Sequence, residues 1–217
     1  MSTDLFETIS DRQPSQEIIA EGAAVLRRFA SPFEAELLKE LRGIIEEAPF
    51  RRMMTPGGRQ MSVAMTNCGS FGWVTDRTGY RYDSDDPEAA KPWPPMPSVF
   101  RQLAEQAADR AGFGRFSPDA CLVNRYQPGA RMSLHQDRDE QDFGAPIVSV
   151  SLGLPATFLF GGLKRSDRPR RIRLEHGDVV VWGGPARLAF HGVAPLAEGE
   201  HALLGRQRIN LTFRKAR

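Results

Sequence analysis

Eight short strand-like segments in the second half of the chain, preceded by two helix-like segments, predict a mainly β protein with flanking helices. From Ala120 onward, strand-like runs alternate with turn residues every eight to twelve positions or so, a spacing typical of an antiparallel sandwich or barrel. Eight strands suit a jelly roll, also called a double-stranded β-helix. At 217 residues, 41% of them hydrophobic, the chain has room for one domain with a full core.

Three segments precede the predicted core. Residues 1–20 are polar with scattered apolar positions, so we expect a poorly ordered lead-in. Residues 21–49 should hold a short strand and then a helix that starts near Ser31 and Pro32 and follows an apolar helical period to about residue 48. Residues 50–95 are rich in Gly, Pro, Thr and aromatic residues, which favours turns and short strands that project from the body.

Residues 96–217 are assigned to the jelly-roll core. A second helix is predicted over 97–111 and should end at Gly112. The predicted strands are 120–126, 131–136, 147–153, 157–160, 170–175, 178–182, 187–193 and 206–213.

Three polar residues in this core have the composition of an iron site. His135 and Asp137 are two positions apart, so on an extended segment both side chains leave the same face. With the distant His191 they supply two imidazoles and one carboxylate. That set holds non-haem Fe(II) and leaves positions open for oxygen and a co-substrate. A structural role is the usual alternative for any single histidine, but the combined pattern favours a metal.

The last predicted strand carries Arg208, Asn210, Thr212 and Arg214 on one face and apolar residues on the other. Two arginines that point into a site with a cation need an anion. A dicarboxylate that chelates the iron would supply it, because guanidinium binds carboxylate through two parallel hydrogen bonds. This suggests 2-oxoglutarate. Asn124 and Tyr126 could offer an amide and a phenol to the same carboxylate, although the residues alone favour core packing for the tyrosine.

The motif His-x-Asp-x-Asp-Glu at His135, a distant His-Gly at His191 and the terminal Arg-x-Asn-x-Thr-x-Arg strand together resemble the AlkB family of oxidative DNA-repair dioxygenases. The similarity runs through almost the whole chain after the first twenty or so residues. It includes Thr55-Pro-Gly-Gly, Met61-Ser-Val-Ala-Met-Thr-Asn-Cys68, Lys91-Pro-Trp-Pro94 and Val179-Val-Val-Trp-Gly-Gly184.

The resemblance implies oxidative demethylation of 1-methyladenine and 3-methylcytosine in DNA, and also in RNA, with release of formaldehyde, succinate and CO2. It implies Fe(II), with 2-oxoglutarate and O2 as co-substrates. The metal ligands would be His135, Asp137 and His191. The residues that bind 2-oxoglutarate would be Asn124, Tyr126, Arg208, Asn210, Thr212 and Arg214.

The same resemblance makes residues 50–95 a nucleotide-recognition lid over a flipped base, with Trp73 on one side of the base and His135 on the other. Asp139 would be the carboxylate beside a cationic base. The remaining substrate contacts would be Met65, Tyr80, Arg81, Tyr82 and Arg165. Composition alone favours a small satellite cluster that ties this segment down.

Charge and cysteine content add little. The net charge of +2 is too small to indicate nucleic-acid binding, and any single basic cluster is more simply a solvated face. Cys68 and Cys121 fit no disulfide framework and are interpreted as small, partly buried thiols. With neither a leader pattern nor a membrane-spanning stretch, we expect a cytoplasmic monomer.

Two other functions remain open at this level. A jelly-roll dioxygenase that hydroxylates a protein or a small metabolite would keep the iron ligands and the arginines but would not need an aromatic lid. A catalytically silent nucleic-acid-binding module would not need the three metal ligands.

Overall fold

The structure is a computed structural model, and it describes residues 15–217. In chain order the strands are β1 (Gln16–Ala20), β2 (Ala23–Leu26), β3 (Ala64–Gly69), β4 (Gly72–Asp76), β5 (Gly79–Asp83), β6 (Asp85–Asp86), β7 (Lys91–Pro92), β8 (Ala120–Tyr126), β9 (Met132–His135), β10 (Ile147–Gly153), β11 (Ala156–Phe160), β12 (Arg170–Leu174), β13 (Val179–Trp182), β14 (His191–Val193) and β15 (Arg208–Arg214). The helices are α1 (Glu34–Glu47) and α2 (Ser98–Arg110), with short 3-10 turns at Ser31–Phe33 and Gly184–Ala186.

Two antiparallel sheets form the body. The major sheet has the order β1-β2-β13-β10-β15-β8-β3, and the minor sheet has the order β12-β11-β14-β9. Strands that are distant in sequence are therefore neighbours in space, as Greek-key connections produce. The predicted jelly roll is confirmed, and the eight core strands lie within a few residues of their predicted positions.

Apolar residues fill two separate layers. One layer lies between the two sheets and contains aromatic side chains such as Phe158, Phe160 and Trp182. The other lies between the outer face of the major sheet and the helices, where Leu37 and Leu41 of α1 and Phe100 and Leu103 of α2 pack. The helices thus cover the major sheet from outside and leave its inner face to the site.

Strand β15 belongs to both layers because its side chains alternate. Ile209, Leu211 and Phe213 are buried against the helices. Arg208 and Arg214, with the polar residues between them, face the space between the sheets. The period-two pattern seen in the sequence therefore separates a packing face from a chemical face, as predicted.

Both predicted helices are present. The first α-helix begins only at Glu34, because Ser31–Phe33 forms a 3-10 turn; the cap position of that turn is Ala30, not Ser31, and no side chain caps it. The second begins one residue after Pro97, which occupies the cap position.

Two predicted segment boundaries need correction. The lead-in was placed at 1–20, but Gln16–Ala20 forms the edge strand β1, which pairs with β2 across a turn at Gly22. Gly22 has a φ of 74°, and a Cβ there would lie 2.5 Å from the carbonyl oxygen of Gly183, so the turn requires glycine. The first part of the lead-in, residues 1–14, lies outside the described residues.

The projecting segment was placed at 50–95, but Ala64–Gly69 is the strand β3 of the major sheet, paired with β8 along its length. Only part of the segment projects: the β4–β5 hairpin and the short β6–β7 pair form two-stranded sheets of their own. Strand β3 was not recognisable from the sequence, because all of its residues except the last are buried and the strand therefore lacks the polar and apolar alternation of a half-exposed strand. No helix of the described chain is both long and apolar enough to cross a membrane.

Candidate metal centre and co-substrate cavity

The minor sheet brings the two predicted metal-binding histidines together. His135 ends β9, His191 begins β14, and the two residues are directly opposite each other in the antiparallel pair. Asp137 lies two residues beyond β9, with its carboxylate oxygens 3.6 Å from Nε2 of His135 and 3.7 Å from Nε2 of His191. One ligand atom from each residue lies within 4.8 Å of the others, and no other such group of three occurs in residues 15–217.

Both imidazoles present the same nitrogen to this site. Nδ1 of His135 lies 2.8 Å from the carbonyl oxygen of Ser133, and Nδ1 of His191 lies 3.0 Å from that of Ala189. A carbonyl only accepts, so each Nδ1 carries the proton and donates it. Each Nε2 therefore keeps a lone pair that points toward Asp137, the arrangement that orients histidine for metal binding.

The charge states also suit a metal. Burial and the neighbouring His135 together lower the pKa of His191 to about 4 against the opposing effect of Asp137, so His191 is neutral at physiological pH. Burial alone would raise the pKa of Asp137. The guanidinium of Arg214 and the two histidines outweigh burial and hold that pKa well below its usual range. Asp137 and His191 are thus deprotonated, as ligands of Fe(II) must be, and with His135 they supply the residue types of the facial triad.

Arg214 is engaged with this carboxylate. Its Nε and Nη2 donate to the same oxygen, Oδ2 of Asp137, at 2.9 and 2.7 Å. Both side chains are almost fully buried. The sequence assigned Arg214 to 2-oxoglutarate, whereas the structure gives two of its donors to the aspartate, although the residue also lines the cavity next to the metal ligands.

A cavity lies between the sheets beside the triad. Its lining comes from β8, β10, β13 and β15 on one side and from β9, β11 and β14 on the other. The lining residues are Leu122, Asn124, Tyr126, Met132, His135, Ser149, Phe158, Trp182, His191, Gly192, Val193, Arg208, Asn210, Thr212 and Arg214.

Arg208 is the unbalanced charge in this cavity. Its side chain is 1% exposed, and within residues 15–217 it makes one hydrogen bond, from Nη2 to Oγ of Ser151 at 3.0 Å. Nε and Nη1 have no partner within the described chain. Its guanidinium lies 5.1 Å from the ring centroid of Tyr126, and burial lowers its pKa. A buried guanidinium with two idle donors costs free energy unless an anion pairs with it, so a carboxylate fits here.

The other residues assigned to 2-oxoglutarate lie around Arg208. Tyr126 is directly opposite Arg208 in the β8–β15 pair, and Asn124 is opposite Asn210. Oδ1 of Asn124 has no partner in the described residues, so it has a free polar atom. Asn210 instead donates to Ser149 and Val150 and accepts from Thr212. Asn210 and Thr212 therefore shape the cavity and fix its polar wall.

The β4–β5 hairpin places an aromatic pair at the edge of the site. Trp73 stacks on Tyr80 with ring centroids 5.6 Å apart and an interplanar angle of 18°. Nε1 of Trp73 donates to Oδ2 of Asp139 at 2.7 Å, and Asp139 follows Asp137 by two positions. Tyr80 is 50% exposed. An indole face and a carboxylate are thus held together beside the metal ligands, with an exposed phenol next to them.

Two arginines expected to contact substrate lie in different settings. Arg165 is exposed, donates to the carbonyl of Leu134 at 2.7 Å and lies 5.9 Å from the ring of Phe190, so it sits beside both histidine-bearing strands. Arg81 points away from the aromatic pair and is bonded to Asp76 at 2.9 Å on the hairpin itself.

Two residues predicted to contact substrate are buried. Met65 has no exposed surface and packs between the sheets, opposite Asn124 in the β3–β8 pair. Tyr82 is 5% exposed, and its hydroxyl donates to Oε1 of Glu140 at 2.6 Å. Each side chain is covered by residues that are far away in the sequence, and the contact of Met65 and Tyr82 with substrate stays a prediction. Met65 supports the cavity wall, and Tyr82 supports the hairpin through its hydrogen bond to Glu140.

Sequence reasoning also missed a pair of buried charges. Nη2 of Arg187 donates to Oε2 of Glu140 at 3.1 Å, and its Nη1 donates to the main-chain oxygen of Asp137 at 3.0 Å. Glu140 closes the His-x-Asp-x-Asp-Glu motif, so its position offered a signal. Arg187 offered none, because nothing in its local sequence distinguishes a buried arginine from a solvated one.

Comparisons with known proteins agree with this geometry. The family model described as the 2OG-Fe(II) oxygenase superfamily matches residues 22–214. The chain is 56% identical to the alpha-ketoglutarate-dependent dioxygenase AlkB of Escherichia coli (strain K12) over 212 residues, which covers 98% of each protein. It is 31% identical to the DNA N(6)-methyladenine demethylase ALKBH1D of Arabidopsis thaliana, across 91% of this chain and 50% of that protein. The solved structure of OsALKBH1 superposes with a TM-score of 0.81 at 28% identity, covering 93% of this chain and all of that one.

Proposed function

Since the chain belongs to the AlkB family of the 2OG-Fe(II) oxygenases, and so is an Fe(II)- and 2-oxoglutarate-dependent dioxygenase, we propose that it removes methyl groups from 1-methyladenine and 3-methylcytosine in DNA, and also in RNA. The observation that carries this proposal is the aromatic pair of Trp73 and Tyr80, held by Asp139 next to the metal ligands. A dioxygenase for a small metabolite would not need a stacking surface outside its cavity.

Iron would be bound by Nε2 of His135, Nε2 of His191 and the carboxylate of Asp137. Arg208 would grip one carboxylate of 2-oxoglutarate through its idle Nε and Nη1, with Asn124 and Tyr126 beside it. Asn210 and Thr212 would hold the wall behind them, and Arg214 would face the co-substrate while fixing Asp137.

Bound iron, 2-oxoglutarate and oxygen supply the oxidation: one oxygen atom enters succinate with loss of CO2, and the other enters the methyl group, which leaves the base as formaldehyde. The protein's share is to place the base and to exclude water. Burial of Asp137 and His191 keeps this chemistry away from bulk solvent.

Charge selects the damaged base. Methylation at N1 of adenine or N3 of cytosine leaves a cationic base that cannot pair normally, so it is easier to flip out of a duplex. The indole of Trp73 attracts a cation to its face, and the carboxylate of Asp139 favours it electrostatically. A neutral, undamaged base gains neither effect.

Exposed side chains around the edge of the site would contact the nucleic-acid strand. Tyr80 and Arg165 are open to solvent there, and Arg81 lies on the outer side of the same hairpin. The name of the Arabidopsis relative supports a nucleic-acid substrate for this family. A monomeric state and residence in the cytoplasm stay predictions from the sequence.

A single incubation tests the proposal. The protein is mixed with Fe(II), 2-oxoglutarate, air and an oligonucleotide that carries one 1-methyladenine or 3-methylcytosine, and the products are weighed by mass spectrometry. We expect the mass of the oligonucleotide to fall by that of one CH2. Formaldehyde and succinate should form in equal amounts at the same time. Steady succinate production that the methylated oligonucleotide never stimulates would instead favour hydroxylation of a protein or a small metabolite.

A further inference from the structure

A chain of buried contacts joins the β4–β5 hairpin to the carboxylate of Asp137. Tyr82 of β5 donates to Oε1 of Glu140 at 2.6 Å. The same oxygen lies 3.4 Å from Nε of Arg214, which with Nη2 donates to Oδ2 of Asp137. Every side chain in this path is at least nine-tenths buried.

A second branch reaches the main chain of the same aspartate. Arg187 donates from Nη2 to Oε2 of Glu140 at 3.1 Å and from Nη1 to the carbonyl of Asp137 at 3.0 Å. A third donor, Nε, is bonded to the carbonyl of Ala145 at 3.0 Å. Glu140 is therefore the common acceptor through which both the carboxylate and the backbone of Asp137 are held.

The charges in this network balance. Arg187 and Arg214 are cations, and Asp137 and Glu140 are anions, so the buried group is neutral as a set. Removing the charge of Glu140 would leave two guanidiniums facing one carboxylate. The carboxylate of Asp137 would then be drawn more strongly toward Arg214, and it would become a poorer donor to a cation on its other side.

Resting on the metal site proposed above, we propose that Glu140 and Tyr82 are positioning residues for the metal: Glu140 fixes Asp137 through two arginines, and Tyr82 ties that arrangement to the hairpin that carries Trp73. Neither residue is one of the three metal ligands, and neither lines the cavity beside them. The hairpin is thus attached to the metal centre by a defined path of hydrogen bonds, in addition to apolar packing.

The hydroxyl of Tyr82 is a suitable end for this path. Burial, together with the nearby carboxylates and against the effect of Arg214, holds the pKa of Tyr82 well above its ordinary value, so the phenol keeps its proton and donates it. Trp73 of the neighbouring strand β4 lies directly opposite Tyr82, so the two residues share one face of the hairpin.

The test measures metal affinity without turnover. Mn(II) and Co(II) are titrated into the metal-free full-length protein, and the dissociation constants are compared for wild type, Glu140→Gln and Tyr82→Phe. The matched control is Thr75→Val on the same hairpin, because Thr75 is also buried and also loses one hydroxyl donor, here to the carbonyl of Met54 at 3.1 Å, outside the path to Asp137.

We expect Glu140→Gln to weaken metal binding about tenfold, as loss of an outer partner of a metal ligand does. Tyr82→Phe should weaken it about fivefold, the equivalent of one net hydrogen bond. Thr75→Val should lower the melting temperature but leave the metal affinity unchanged. The visible spectrum of the Co(II) form should shift in the first two variants and stay constant in the third, because it reports the geometry of the ligands.

Each outcome decides the question. A folded Tyr82→Phe protein with wild-type metal affinity and an unchanged Co(II) spectrum would overturn the inference while leaving the metal site intact, and this holds even if Glu140→Gln does not fold. Equal losses in Tyr82→Phe and Thr75→Val would reduce the network to general support of the hairpin, which also overturns it. A wild type that binds neither metal would remove the metal site and this inference together.

Discussion

Replacing Arg208 by methionine should nearly abolish binding of 2-oxoglutarate and, at the same time, leave the ligand-free protein at least as stable as the wild type. The two effects have one cause. Arg208 is 1% exposed with Nε and Nη1 unpaired in the described chain, so the empty cavity carries a desolvated charge that methionine would remove while keeping most of the volume.

The size of the binding loss follows from those two donors. A hydrogen bond to a charged group contributes about 1.5–3 kcal/mol, so two of them contribute at least about 3 kcal/mol. At about 1.4 kcal/mol per factor of ten, the dissociation constant should rise by at least roughly 100-fold. The hydrogen bond to Ser151 is lost as well, but a serine hydroxyl can turn toward another acceptor.

The assay titrates 2-oxoglutarate into Mn(II)-loaded protein and follows both heat and melting temperature. Wild type should melt at higher temperature as 2-oxoglutarate is added, whereas Arg208→Met should not respond. Arg125→Met is the matched control, because Arg125 lies on the neighbouring strand, also has a buried unpaired Nε, and packs over Phe50 away from the cavity. Wild-type affinity for 2-oxoglutarate in Arg208→Met, together with lost oligonucleotide binding, would refute the assignment of Arg208 to the co-substrate.

Four further outcomes are expected. Asp137→Ala should eliminate Mn(II) binding and demethylation, as measured by titration and mass spectrometry, and a variant that still demethylates would contradict the triad. Trp73→Ala should weaken binding of methylated oligonucleotide by about 1–3 kcal/mol. Asp139→Asn should lower turnover of 1-methyladenine more than turnover of a neutral alkylated base such as an ethenoadenine. Equal losses of turnover on both bases would exclude selection by charge. In metal-free protein, the lowered pKa of His191 means that the unfolded chain binds more protons between pH 6.5 and about 4. Stability should therefore fall across that window as the pH drops, by up to about 3 kcal/mol, and urea unfolding of His191→Gln should show a flatter profile.

Local patterns in the sequence were enough to predict the chemical face of β15 and the metal ligands. Alternation fixed which side of the strand carries Arg208, and the two-residue spacing of His135 and Asp137 put both near one metal. These features depend only on the geometry of a single strand. The same is true of the two helices, whose apolar periods span most of their length.

The sequence could not show how partners are distributed across the fold. Whether Arg214 meets a co-substrate or Asp137 depends on a contact between residues 77 positions apart and on the pairing of β15 with its neighbours. The burial of Met65 and Tyr82 was not visible in the sequence for a related reason: a segment rich in turns gave no sign that one side chain enters the core and that the other donates to Glu140. Burial of a single side chain is a property of the packed molecule.

The position of β15 has a consequence for how the cavity wall and the hairpin at the edge of the site move. This strand is hydrogen-bonded to β10 on one side and to β8 on the other, near the middle of a seven-stranded sheet, so its amide hydrogens should exchange with solvent only when the whole domain unfolds. Within residues 15–217 the β4–β5 hairpin pairs with no third strand, and its amides should exchange through far smaller openings. The wall that carries the arginines is therefore as durable as the folded state itself, while the hairpin at the edge of the site can open at little expense, which allows a bulky base to enter and leave without disturbing a bound dicarboxylate.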